Sequence, residues 1–491
     1  MAPVLAIPPF PGARPPVFAT PGGNGAGDPD QLLAALARLR VGGRYWGPVQ
    51  AGPSRLTAAN WPAGADPWPL LEGAEAVALP AGDPRALLAL AAGKPLTTTD
   101  GPVDPATLIR THLTGWLWHD PFSGDVISAL QAIELCGFWR GLIDSNRGIA
   151  AALGFAYWKR PTVAPLLWNG QETLFRRGMP ALAPDDLVAV WRSRLSSAQA
   201  EALAGRPVLE VEDGFLRSAG LGADCVPPLS IIVDGQGAHF DPTQPSDLEI
   251  LLQTRVFSAD LRNRAQQLRA AIIAGGLSKY EAGPAPALPR PGGTRRHVLV
   301  PGQVEDDRAV TSGGALPSNL KLLRRARAEV GDAAFLIYKP HPDVLAGHRK
   351  GLVAAAQVAG LADQIETTAP MAGLIAMVDE LHVNSSLAGF EALLRGKPVT
   401  VHGVPFYAGW GLTTDRGPVP ARRTARRTLD ELVAAAYLLY PRYLDPVTGL
   451  PCPAEVLVQR LAGAPPPLDA GAAAVVALRR ATGRVRRVLR R

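Results

Sequence analysis

At 491 residues, 47% of them hydrophobic and 19% charged, the chain exceeds one ordinary core and is read as two or three globular domains. Its cysteines, Cys136, Cys225 and Cys452, stand far apart, which excludes a disulfide framework or a zinc cluster and fits a reducing cytoplasm. The formal net charge of +7 equals the seven arginines of LRRATGRVRRVLRR at 478–491, so the rest of the chain is balanced and a nucleic-acid-binding body is not expected. No apolar run reaches the roughly 18 residues of a membrane span. The start, MAPVLAIPPFPGARPP, lacks the basic end and long apolar core of a signal peptide, so neither a transmembrane helix nor a cleaved leader is expected.

In chain order, residues 1–30 are rich in Pro, Gly and Ala without a period and are read as disordered or loosely packed. Residues 31–144 hold a helical run, LLAALARL, and a helix followed by a strand in RALLALAAGKPLTTTD. That second pattern recurs. ALLALAAGKPLTTTDGP (86–102) matches GFEALLRGKPVTVHGVP (389–405), and WHDPFSGDVISALQAIE (118–134) matches YLDPVTGLPCPAEVLVQ (443–459), in the same order. The N-terminal third is therefore read as a degenerate partial duplicate, with no counterpart of the acidic loop described next, and catalysis is assigned to residues from about 145 onwards.

Residues 145–280 alternate strand candidates (VAPLLW, DLVAVW, PVLEVED, LSIIVD) with a long helical stretch, LEILLQTRVFSADLRNRAQQLRAAIIAGG, as in a doubly wound sheet. A Pro/Gly-rich joint at 281–293 leads to a second Rossmann-like domain, 294–465, built from RHVLVPGQVEDD, SNLKLLRRARAEV, FLIYKPHPDV and ELHVNSSLAGFEALLRGKPVTVHG. Terminal helices and the basic tail, 466–491, follow. After the apolar GAAAVVAL, the tail suits an anionic membrane surface, though a merely solvated tail fits equally.

Chemistry concentrates at strand ends, where ligands bind in open α/β sheets. In VLEVEDGFLRSAGLGAD the pair Glu212 and Asp213 ends a strand, with Gly214 read as the turn. An isolated Asp-Gly is ordinarily just a turn; here similar loops recur downstream. Asp213 is the candidate nucleophile or base, Glu212 a group that orients or tunes it, and Arg217 a counter-charge for Asp213 or an acidic substrate, or else a surface salt bridge. In the second domain Gly302 and Gln303, then Lys339, Pro340, His341 and Pro342, then Asn384, Ser385 and Ser386 end successive strands. The Asn-Ser-Ser loop opens into a helix, so its amides and hydroxyls suit a phosphate, and either serine also serves as an N-cap. His341 and Lys339 suit the leaving phosphate, unless the histidine is simply solvated. Glu391, inside that helix, suits a ribose hydroxyl pair or is an exposed helix charge. A Walker A loop, GxGxxG, HExxH and CxxC are all absent. No Asp-x-Asp that would chelate a nucleoside diphosphate's metal is found either, which favours a nucleoside monophosphate leaving group.

The ordered motifs VEDGFLRSAGLGAD, PPLSIIVD, SDLE, GLSKYE, VPGQVEDD, YKPHPD, HVNSSLAGFEALLRGKPV and FYAGWGLTTD resemble the bacterial capsular polysaccharide biosynthesis and export proteins that act as retaining β-Kdo glycosyltransferases, over about residues 145–460. The resemblance implies an α/β, GT-B-like pair of Rossmann domains with additional helices and the degenerate N-terminal partial module. It further implies transfer of Kdo from CMP-Kdo to a phospholipid-linked acceptor; no resident cofactor is expected, no metal ligand is assigned, and the metal requirement stays open. Asp213 takes the catalytic carboxylate role, Gln303 and His341 line the CMP site, and Ser385 and Ser386 hold the phosphate. A covalent adduct on the aspartate and front-side attack both remain open. The expected location is cytoplasmic and peripheral to the inner membrane, beside capsule biosynthesis and export partners. Transfer of another CMP-activated 2-keto sugar, sialyltransferase-like, and a non-catalytic scaffold of the export machinery are the alternatives.

Overall fold

The computed structural model describes residues 2–102, 104–172, 175–218, 225–279, 283, 287–347 and 349–463. The chain divides into a smaller unit, Met1–Ala151 with Ala164–Phe175 and Val447–Pro451, and a larger one, Ala152–Val163 with Arg176–Pro446 and Cys452–Arg491. The basic tail and part of the 281–293 joint lie outside the described residues. Among the described residues no helix is long and apolar enough to cross a membrane. All three cysteines are free and buried.

Within the larger unit, six parallel strands run in the order Gln364–Ile365, Phe335–Lys339, His297–Pro301, Glu380–Val383, Val399–Val401, Thr414–Asp415. Continuous apolar runs such as HVLVP, buried at every position, are what a sheet covered on both faces demands. The chain order reverses beside His297–Pro301, which creates the crevice where such folds take ligands.

The other sheet runs Pro451–Cys452, Pro441–Leu444, Ser230–Asp234, Val208–Asp213, Leu187–Val190, Ile149–Leu153, Phe175–Arg176. Here the expectation of a purely doubly wound sheet needs correction. Val208–Asp213 is parallel to Leu187–Val190 but antiparallel to Ser230–Asp234, which is antiparallel to Pro441–Leu444. A parallel return needs a crossover, and no helix lies among the described residues between Asp213 and Ser230. Two further expectations change. VAPLLW forms no strand: Pro165 interrupts it, and the Asn146 side-chain amide nitrogen donates to the Leu166 and Trp168 carbonyls at 3.2 and 3.0 Å, as a ladder partner otherwise would. The long helical stretch is two helices, Asp247–Thr254 and Ala259–Ala274, because the Ser258 side chain caps the second.

The smaller unit is better packed than its composition suggests. Val4, Leu5, Phe10 and Phe18 are buried in one core with Trp118 and Trp139, so the N-terminal segment is structural and not loosely packed. Strand Ala19–Pro21 pairs antiparallel with Trp116–His119.

The two stretches that match in sequence also share backbone detail. The smaller unit links parallel strands Arg55–Thr57, Ala76–Leu79 and Leu96–Thr98 through helices Pro67–Gly73 and Pro84–Ala91. The larger unit places helices Met371–Met377 and Leu387–Leu394 around Glu380–Val383 and Val399–Val401 in the same way. Both Gly-Lys-Pro turns put glycine at positive φ, 65° at Gly93 and 69° at Gly396, and both lysine amides donate to the preceding helix at 3.0 Å, to Ala89 and Ala392. Each copy also carries a π-helical turn, where Gly115 donates to the Arg110 carbonyl (2.7 Å) and Tyr440 to that of Ala435 (3.1 Å). What the smaller copy lacks is chemistry. Where the larger has Asn384, Ser385 and Ser386, it has Pro80, Ala81 and Gly82 leading to the Asp83 cap.

Candidate active site

A cleft of about 500 Å³ opens in the larger unit where the carboxyl ends of His297–Pro301, Phe335–Lys339 and Glu380–Val383 face the end of Val208–Asp213. Gly302, Gln303, Lys339, His341, Pro342, Ser385, Ser386 and Glu391 line it together with Glu212 and Asp213. Phe215, His239 and Phe406 form an aromatic wall, with Phe215 stacked on Phe406 at 4.6 Å.

Asp213 lies between two cations. Lys159 Nζ is 3.1 Å from one carboxylate oxygen and Arg217 Nε 2.9 Å from the other. Burial opposes its ionisation, but Arg217, Lys159 and Lys279 outweigh that and hold the carboxyl well below the usual range. Arg217 is fully buried, not a surface pair, and its other nitrogens donate to Ser218 Oγ and the Val226 carbonyl, both at 2.7 Å. It does not line the cleft, so it is Asp213's counter-charge and not the substrate's. Lys159 lies 3.3 Å above the centroid of the Trp191 ring. Burial, with the repulsion of Arg217 beside it, pulls its ammonium down to about 8 against the attraction of Asp213.

Glu212 has the opposite environment. Burial and the charge of Asp213 push its carboxyl up to about 7, against the attraction of Arg308, whose guanidinium is 3.1 Å away. Arg308 also pairs with the buried Glu210. Adjacent residues therefore present a permanently ionised carboxylate and one that titrates near neutrality, the division of labour that acid–base sites use.

Gly214 serves for a reason other than the expected turn. A Cβ there would lie 2.1 Å from Ser230 Oγ and 2.8 Å from Ser230 Cβ, and the Gly214 amide donates to the Ser230 carbonyl at 3.0 Å. Only glycine lets the strand carrying Asp213 pass this close to its neighbour.

On the opposite wall, Gln303 and Ser385 join the loops flanking the switch point. The Ser385 amide donates to Gln303 Oε1 (3.0 Å), Gln303 Nε2 to Ser385 Oγ (3.2 Å), and Ser385 Oγ to the Ala309 carbonyl (2.7 Å). Ser386 is the N-cap of Leu387–Leu394, accepting from the Ala388 amide at 3.2 Å. With both hydroxyls and the Ser385, Ala388 and Gly389 amides engaged, the loop offers an anion chiefly the amides of Ser386 and Leu387 and the helix dipole. Asn384 is not a lining residue; it is buried and bridges both backbone groups of Leu316. His341 caps the short helix after it by accepting the Asp343 amide on Nδ1 (3.1 Å), which leaves Nε2–H as the donor of a neutral ring. Burial lowers its pKa. Lys339 donates to the Ala369 carbonyl at 2.7 Å, and Glu391 is not an exposed helix charge but buried, accepting the Lys279 amide at 2.9 Å.

Sequence reasoning missed Lys159, Lys279 and His239. Lys279 sits in GLSKYE, a motif visible from the start, while Lys159 lies 54 positions before Asp213 and gave only an aromatic-basic WK pair. His239 lines the cleft with its ring pulled down to about 3 by burial, Lys279 and Arg308, which keeps the imidazole neutral.

Known proteins sharpen this picture. The family described as "Capsule polysaccharide biosynthesis protein" matches residues 186–288 and 287–443, which carry most of the cleft. The chain belongs to this family. The lipopolysaccharide-processing protein LpsZ of Rhizobium meliloti is 47% identical over 52% of this chain and 59% of its own length. The capsule polysaccharide modification protein LipA of Neisseria meningitidis serogroup A is 35% identical over 73% of this chain and 52% of its own. The chain thus spans little more than half the length of these relatives. Two solved structures of Thermosulfurimonas dismutans KpsC, a β-Kdo 2,4 transferase and a β-Kdo 2,7 transferase, are 32% and 31% identical with TM-scores of 0.54 and 0.50, each covering 64% of this chain and 98% of the solved chain. The GT-B-like α/β architecture expected for this capsule family is the one these comparisons support.

Proposed function

We propose that the larger unit is a glycosyltransferase that moves Kdo from CMP-Kdo, with retention, onto a lipid-linked saccharide of capsule assembly. The observation that carries this reading is the juxtaposition of ionised Asp213 and titratable Glu212 with an anion-binding wall across one cleft. The likeness to two β-Kdo transferases supports the choice of sugar. In this reading the CMP phosphate rests against the Ser386 helix terminus, with His341 Nε2–H and Lys279 as its donor and charge partner. Asp213 attacks the anomeric carbon, the carbon–oxygen bond to phosphate breaks, and CMP departs with the electron pair. An acceptor hydroxyl then attacks the same carbon and displaces Asp213, while Glu212 takes the hydroxyl proton. Two inversions amount to retention. The acceptor is held at the inner membrane surface, in keeping with a cytoplasmic, membrane-peripheral enzyme beside its export partners.

The test is CMP release from a donor panel in the presence of a Kdo-terminated glycolipid, with products identified by mass. CMP-Kdo is expected to yield CMP and a product one sugar longer, and CMP-sialic acid to yield neither. Release from CMP-sialic acid alone would assign a different 2-keto sugar, and release from neither donor would remove the transferase reading.

A pH profile checks the role of Glu212. As the base of the second step it must be ionised, so kcat/KM for the acceptor should fall as pH drops through about 7. Arg308 favours the ionised form, so Arg308→Gln should move that acidic limb upward by about one pH unit. A limb that stays in place would detach Glu212 from the rate.

A further inference from the structure

We propose that His382, His402 and Glu329 form a binding site for a zinc-type divalent metal ion, separate from the sugar cleft. One ligand atom from each lies within 4.8 Å of the others. His382 Nδ1 and His402 Nε2 are 3.2 Å apart, and two nitrogens bound tetrahedrally at roughly 2.05 Å stand about 3.3 Å from each other. Both imidazoles are buried. The second independent observation is the support behind them. His382 Nε2 faces Glu380 Oε1 at 3.6 Å, the carboxylate–histidine arrangement that fixes ring orientation and basicity at metal sites. Arg416 holds Glu329 through Oε1, at 2.7 and 2.9 Å, and among the described residues no hydrogen bond engages Oε2, which a cation can take. The Glu329 side chain is about a quarter exposed, which provides the entry path.

The three ligands come from different elements. His382 lies in strand Glu380–Val383, His402 directly follows the parallel neighbour Val399–Val401, and Glu329 ends helix Asn319–Val330. A bound ion would fasten these together two residues before Asn384 and immediately before Gly403, stiffening the base of the loop that carries Ser385 and Ser386. Two imidazoles and one carboxylate with room for a fourth ligand suit zinc, and cobalt as its spectroscopic substitute, better than magnesium or calcium. The histidines are twenty positions apart and match no metal-site spacing, so sequence alone gives no sign of them.

The test uses the full chain, stripped with chelator and titrated with Zn²⁺ by calorimetry and with Co²⁺ by visible absorption. One equivalent of Zn²⁺ is expected at this site, with a rise in Tm and a tetrahedral Co²⁺ spectrum. His402→Gln should remove that equivalent. Glu329→Gln, at a partly exposed position that tolerates the change without core disruption, should weaken it at least tenfold and lower the Co²⁺ absorption. Absence of stoichiometric binding in the wild-type chain, or binding unchanged in both variants, overturns the site and leaves the histidines as a plain hydrogen-bonded pair.

Discussion

Asp213→Asn should lower sugar transfer by at least about 10⁴-fold, the scale on which removal of a nucleophile acts. The substitution keeps shape and removes charge, so the expected loss is in turnover and not in the affinity for CMP, whose contacts come from the other wall of the cleft. A structural cost accompanies it. Lys159 and Arg217 are both buried and both face Asp213, and stripping a buried cation of its partner costs about 3–5 kcal/mol. Asp213 itself is partly exposed, so the lower end of that range applies. Chemical denaturation of the two proteins measures this cost, and single-turnover kinetics measures the first. A variant that transfers sugar at the wild-type rate would show that Asp213 only neutralises its two cations.

The second large effect is expected at Gly214. Gly214→Ala brings a methyl group 2.1 Å from Ser230 Oγ, and Ser230 cannot step aside because its hydroxyl donates to the Leu216 carbonyl and its own carbonyl accepts the Gly214 amide. Overpacking of this kind costs about 1–3 kcal/mol. The strand must shift, and with it the carboxylate one residue back, so turnover should fall about 10²-fold. Adding Ser230→Gly removes both atoms in the way. The double variant should recover most of the lost turnover, whereas a double variant no better than Gly214→Ala would mean that glycine is needed for backbone freedom instead.

How much of this was legible in the sequence depended on range. A strand such as HVLVP announces itself through a continuous apolar run, and the loop after it could be assigned to a cleft because parallel sheets bind ligands at those ends. The likeness of the two Gly-Lys-Pro stretches was legible because the turn imposes a similar positive φ at both glycines. Partnerships across the chain were not. Nothing local reveals that Lys159 reaches Asp213, or that Arg422 and Arg423 of the basic ARRTARR stretch clamp the buried Glu249 instead of remaining a surface charge run. The N-terminal residues misled for a physical reason: Pro and Gly suppress periodicity, while Val4, Leu5 and Phe10 are buried through an irregular backbone. Asn384 misled as well, since a polar residue beside two serines reads as a ligand contact although its amide completes the backbone of Leu316.

A covalent bond between Asp213 and the sugar would be seen in peptide mass mapping after brief exposure to CMP-Kdo. Glu212→Gln removes the base of the second step, so the first product should accumulate. A mass gain of one Kdo is expected, confined to the peptide containing Asp213 and absent when Asp213→Asn is added. An unmodified peptide from a variant that still releases CMP and delivers sugar to the acceptor would contradict it.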